Sequence, residues 1–182
     1  FQIGMTSATV YLTDRRRRAY LYSGIQALFA VVYPLHVIGV TQLVLGRWDE
    51  AALAAGLIGA AAISVYYTHA LFDLAPPRAW VEVGAVLALL PGVLGYDPHL
   101  HARIAGPITV VYIAALTVYQ VHLCTRVLRG GGDRRSAAYL MISWTGLSVS
   151  SLPDLAVWLG LPDVLLGVRT ASVGLGMFAF WQ

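Results

Sequence analysis

"DRRRRAYLYSGIQALFAVVYPLHVIGVTQLVL", Asp14 to Leu45, sets four consecutive arginines, Arg15, Arg16, Arg17 and Arg18, directly against an unbroken apolar run. A bilayer core of about 30 Å takes about 20 apolar residues in helical form, and this run is long enough. The same alternation of apolar run and short polar knot continues along the chain. With 58% hydrophobic and 12% charged residues and a mean hydropathy of +0.70, the composition lies outside the balance of a water-soluble domain. The sequence predicts an all-α polytopic membrane bundle that forms a single domain over residues 1–182.

Cutting the chain wherever charge, Pro or Gly punctuates the runs gives seven segments. They are Phe1 to Leu12, Ala19 to Leu45 with a kink expected at Pro34, Ala51 to Phe72, Ala79 to Leu94, Ile104 to Leu128, Ser136 to about Leu159 with Pro153 near its end, and a last one from near Val164. The first and last are expected to be truncated parts of helices that continue outside the sequence. Short connections make consecutive helices antiparallel neighbours.

Arginine sets the direction, because loops rich in Arg and Lys stay in the cytoplasm. Alternate connections carry Arg15, Arg16, Arg17, Arg18, Arg78, Arg126, Arg129, Arg134 and Arg135, against Arg47, Arg103 and Arg169 on the other side. Nine against three predicts the N-terminus outside, the C-terminus inside and a multi-pass place in a cell inner membrane. Although the pI is near 9.2, the basic residues sit beside apolar segments rather than on one face, which argues against nucleic acid as a partner. The one cysteine, Cys124, excludes an intrachain disulfide. There is no lysine anywhere to carry a retinal Schiff base, and the last segment lacks the histidine pair of seven-helix zinc hydrolases.

Ionisable groups in lipid-spanning helices cost about 2.5 to 3.5 kcal/mol each and so mark candidates for ligand binding or signal relay. His69, Asp73, Glu82 and His122 fall toward the cytoplasmic side. His69 and Asp73, four apart, are expected to share a helical face, and Glu82 is expected in a first helical turn, where the dipole favours negative charge. Toward the outside lie His36 and Gln42, with Ser148, Ser150, Ser151 and Asp154 around Pro153. Tyr112, Tyr119 and Arg126 recur every seven residues with Leu116 and Leu123 between them, the pattern of a packing seam. "DPHLHAR" reads as a solvated outer loop, with His99 and His101 too isolated for a metal site. His36 and His122 differ in depth, which disfavours haem. No metal, no cofactor and no catalytic constellation is expected, so the segment itself reads as non-enzymatic.

Three stretches resemble the bacterial seven-transmembrane receptors with diverse intracellular signalling modules. "VYLTDRRRRAYLYSGIQALFAVVYPLHVIG" is similar to that family's first helix, basic turn and second helix. "VYIAALTVYQVHLCTRVLRGGGDRRSAAYLMISWTGLSVSSLPDLAVWLGL" resembles its fifth helix, basic loop and sixth helix, and "LGVRTASVGLGMFAFWQ" its closing helix. The resemblance implies a signal-transducing module of a sensory receptor, in a dimer, with an extracytoplasmic sensor domain before it and a covalently attached cytoplasmic signalling domain, of the two-component or cyclase kind, after it. The alternative is a small membrane enzyme or transporter working through His69, Asp73, Glu82 and His122 on a lipid or a proton.

Overall fold

The computed structural model describes residues 2–13, 18–77, 79–130 and 132–145, and over these the chain is helical with no strand. The elements are α1 (Gln2–Thr13), α2 (Arg18–Ala30), α3 (Val32–Val37), α4 (Val40–Leu45), a 3-10 turn (Gly46–Trp48), α5 (Asp49–Leu71), α6 (Trp80–Leu89), a second 3-10 stretch (Leu90–Tyr96) and α7 (Pro98–Gly130). A further helix, α8, covers residues 134–145. The chain divides into two compact units, Phe1–Leu116 and Thr117–Gln182.

The run from Ala19 to Leu45, expected as one kinked helix, is three helices. Pro34 has no N–H to give the Ala30 carbonyl, and α2 ends at Ala30 for that reason. Hydrogen bonds from the Val31 N–H to Ala27 and from the Leu35 N–H to Val31 carry the ladder past the break. A second break follows at Ile38 and Gly39, where Gly39 takes φ +79°, a conformation nearly reserved for glycine.

Elsewhere the sequence boundaries hold or move for identifiable reasons. α5 matches the expected Ala51 to Phe72 closely and opens on Asp49 and Glu50, carboxylates suited to the positive end of a helix dipole. α6 gives way to 3-10 geometry at Pro91, which cannot donate to the preceding turn. α7 begins at Pro98, six residues before the expected Ile104, because Asp97 caps it. The Asp97 carboxylate accepts from the N–H groups of His99 at 3.1 Å and Leu100 at 3.2 Å, with proline in the first helical position. "DPHLHAR" is therefore a helix start and not the loop expected from its polarity. The later part of the sixth expected segment and all of the seventh, with Ser148, Ser150, Ser151 and Asp154, lie outside the described residues, as do Arg15, Arg16 and Arg17.

In the first unit α2 packs against both α1 and α5. Glycine sets the closeness of the α5 crossing. A Cβ on Gly56 would stand 2.7 Å from the Val32 Cβ and 3.1 Å from the Phe29 carbonyl oxygen, and one on Gly59 would strike the Phe29 ring at 2.5 Å. Small residues let membrane helices approach in this way, where no hydrophobic force draws them together.

Two stretches, Val40–Leu71 and His99–Gly130, are long and apolar enough to cross a membrane, and Trp80–Leu94 is a shorter apolar one. Beside a buried apolar core, these stretches also expose many large apolar side chains. Leu43, Val44, Val93, Val111 and Val118 are all more than two-thirds exposed, while Ser64, Thr68, Thr109 and Gln120 are buried. Ser64 donates to the Ala61 carbonyl at 2.6 Å and Thr68 to the Ser64 carbonyl at 2.9 Å, so these hydroxyls are satisfied within their own helix.

Candidate functional site

Polar side chains of the first unit gather at both ends of α5. At the Asp49 end, His36 lies in the last turn of α3 and Asp49 is the first residue of α5. A positive charge at a helix C-terminus and a negative one at an N-terminus are both favoured by the helix dipoles. The His36 Nδ1 and Asp49 Oδ2 are 3.0 Å apart, with side chains 24% and 12% exposed. The approach is off the line of a hydrogen bond, and Nδ1 has no hydrogen-bond partner. The contact is thus an electrostatic one between poorly aligned groups.

Other buried polar atoms of this unit also lack hydrogen-bond partners. They are Asp49 Oδ1, Thr41 Oγ1, both ring nitrogens of His101 and Thr109 Oγ1. His101, in the first turn of α7, is 2% exposed, and the Glu50 carboxylate lies within electrostatic reach of it. Each unmet group costs about 1–3 kcal/mol. Among the described residues no group of three or more His, Cys, Asp or Glu could hold a metal ion.

The Leu71 end is built differently, since its polar groups are paired. The Tyr66 hydroxyl donates to Glu82, which sits in the first turn of α6 as expected, and the Tyr22 ring leans on Tyr66 at 5.6 Å between centroids. The Tyr112 hydroxyl donates to the Val81 carbonyl at 2.8 Å, and Gly84 leaves the room, since a Cβ there would meet the Tyr112 ring at 2.7 Å. A ring N–H of His69 donates to the Ala75 carbonyl.

Asp73 does not share a helical face with His69. α5 stops at Leu71, Asp73 is left-handed at φ +50°, and the Leu74 N–H returns to the His69 carbonyl at 2.8 Å. Asp73 therefore occupies the left-handed position of a Schellman cap. Glycine-like backbone geometry explains it without any chemistry of the carboxylate.

His122 and Tyr119 belong to the second unit, where His122 is exposed and Tyr119 half-buried. In the seven-residue stripe on α7, Tyr112, Leu116 and Leu123 are buried and Arg126 is exposed, so the seam ends before the arginine. Arg129, Arg134 and Arg135 are exposed as well.

Of the candidates, His36 is brought to Asp49, Glu82 to Tyr66, Tyr112 to the Val81 carbonyl and His69 to the Ala75 carbonyl. Asp49 was not legible as the neighbour of His36. The available signal was the acidic pair of "GRWDE" at a helix start, but its link to His36 depends on the break at Gly39. No family model, no curated protein and no solved structure matches the chain. The class that fold and site define is, among the described residues, an all-helical one with two helices long and apolar enough to span a membrane.

Proposed function

We propose that the chain is the transmembrane signal-transducing module of a bacterial sensory receptor, a seven-helix multi-pass bundle of the inner membrane with its N-terminus outside and its C-terminus inside. It relays an extracytoplasmic or membrane-borne signal to a cytoplasmic output domain attached to the same chain, within a dimer. The arginine bias supports the orientation, and the apolar exterior around buried hydroxyls supports the bilayer as its solvent.

One observation carries the relay. The 3.0 Å approach of His36 to Asp49 joins the twice-broken α2–α3–α4 run to the long, regular α5, amid polar atoms without hydrogen-bond partners. A relay needs an element with two packings of similar free energy. Here α3 and α4 supply the movable part, and the unmet groups supply contacts that a second packing would complete. The signal transmitted is bounded by the stimulus's difference in affinity for the two packings.

The rival reading, an enzyme or transporter working through His69, Asp73, Glu82 and His122, has no such observation behind it, since Asp73 is a helix cap and Glu82 is engaged by Tyr66. The test replaces His36 and Asp49 singly by Asn in the full-length protein. A receptor keeps its level in the membrane and shifts the set point of its output. Unchanged output in both variants, or loss of a substrate turnover, overturns the proposal.

A further inference from the structure

The described residues of the second unit carry a concentration of positive charge at one place in the chain. Arg126 and Arg129 close α7, and Arg134 and Arg135 open α8. The two pairs are brought to one end of a helical hairpin. The Thr125 hydroxyl meets the Met141 sulfur at 4.0 Å, which sets α8 beside the last turns of α7. A Cβ on Gly132 would stand 3.0 Å from Val127 Cγ1, so the connecting turn folds closely onto α7. All four arginines are exposed.

The single acid within this hairpin end, Asp133, is occupied. One of its carboxylate oxygens accepts from the Ser136 N–H at 3.1 Å and the other from the Ser136 hydroxyl at 2.6 Å, so it serves as the cap of α8. Arg135 lies over the Tyr139 ring at 5.9 Å from its centroid, a cation–π arrangement. The other three guanidinium groups have no carboxylate beside them among the described residues.

We infer that this hairpin end binds the phosphate of anionic lipid headgroups, with Arg126, Arg129, Arg134 and Arg135 as the ligating residues. The inference rests on the membrane reading of the preceding section. The patch lies at the end of His99–Gly130, a stretch long and apolar enough to cross the bilayer, which puts it at headgroup depth. Guanidinium matches phosphate with paired donors, and clusters of basic residues next to a spanning helix recognise anionic lipid in this way. Tyr139, half exposed, suits the interfacial zone in which aromatic rings gather.

The test uses the full chain reconstituted into vesicles of phosphatidylcholine alone and of phosphatidylcholine with phosphatidylglycerol, reading the lipid retained by the purified protein. Retention of phosphatidylglycerol over phosphatidylcholine is expected, by about fivefold for each arginine engaged, and it falls as salt is raised to about 1 M. The fourfold Arg→Gln variant loses the preference, and the fourfold Arg→Lys variant keeps part of it while serving as the control for insertion. Equal retention of both lipids by inserted wild-type protein overturns the inference. So does saturation of the patch by millimolar inorganic phosphate in phosphatidylcholine vesicles, which assigns the site to free phosphate. Failure to enter either vesicle overturns the membrane reading itself, and is seen separately as protein left in the aqueous phase.

Discussion

His36 Nδ1 lies 3.0 Å from Asp49 Oδ2, tying the last turn of a six-residue helix to the first residue of a 23-residue one. Between them stand two glycines of positive φ, Gly39 and Gly46, so the tie holds together a segment whose backbone is broken on both sides. If this contact couples α3 to α5, His36→Ala and Asp49→Ala are non-additive. Each single change is expected to lower unfolding stability in detergent by about 1–3 kcal/mol, because it removes the electrostatic partner of the other group. The double variant loses less than the sum, with a coupling of about 0.5–3 kcal/mol. Strict additivity in the denaturation cycle contradicts the coupling.

Gly56 and Gly84 are expected to resist enlargement for different reasons. Gly56→Ala drives a methyl into Val32 and the Phe29 carbonyl oxygen, the latter being backbone that cannot rotate away, and costs about 1–3 kcal/mol as overpacking. Gly84→Ala meets only the Tyr112 ring, which can turn at the expense of its hydrogen bond to Val81. Tyr112→Phe therefore costs about 1 kcal/mol alone and little in the Gly84→Ala background, a difference that thermal unfolding of the four combinations measures.

Asp73→Gly is expected to stabilise the protein by about 1–2 kcal/mol, because an L-residue at φ +50° bears a strain that glycine does not. Output or transport activity should survive the change. Abolished activity with increased stability would restore the carboxylate to a chemical role.

Asp133 gives the turn before α8 a defined pH response. Hydrogen bonds from Ser136, first from its hydroxyl and then from its N–H, hold the carboxyl below the usual carboxylate value. A lowered pKa in the folded state means that the cap's contribution is complete above the ordinary carboxylate range and is lost as pH falls through the folded value. Amide protection factors at the start of α8, taken relative to the intrinsic exchange rate at each pH, should therefore fall on acidification. The fall should be smaller in Ser136→Ala, and pH-independent protection in the wild type contradicts the capping account.

Much of the helical layout could be read from residues alone, because its signals are local. Pro34 is the expected site of interruption, although it divides the run rather than kinking it, and the apolar run of α5 is bounded by "GRWDE" and "DLAPPR" as expected, whereas the change at Pro91 falls inside a segment expected to run on to Leu94. Asp97 followed by Pro98 was also a local helix-start signal, but the polarity of His99, His101 and Arg103 suggested a loop, and tertiary burial of His101 outweighs that polarity. The Asp73 reading failed because helical spacing applies only where the helix continues. The neighbours of His36 were illegible on different grounds. Asp49 is brought to it by two backbone breaks, at Gly39 and Gly46, whose positive φ no periodicity reveals.

The most direct measurement exploits the single cysteine. With Cys124, which is buried, replaced by Ala, His99→Cys and Gly130→Cys put one thiol at each end of α7, both at exposed positions. A membrane-impermeant maleimide is then applied to intact spheroplasts. The account predicts labelling of His99→Cys at once and of Gly130→Cys only after permeabilisation. Labelling of both thiols in intact spheroplasts, or recovery of the protein in the soluble fraction, would contradict a membrane-crossing α7 and the relay built on it.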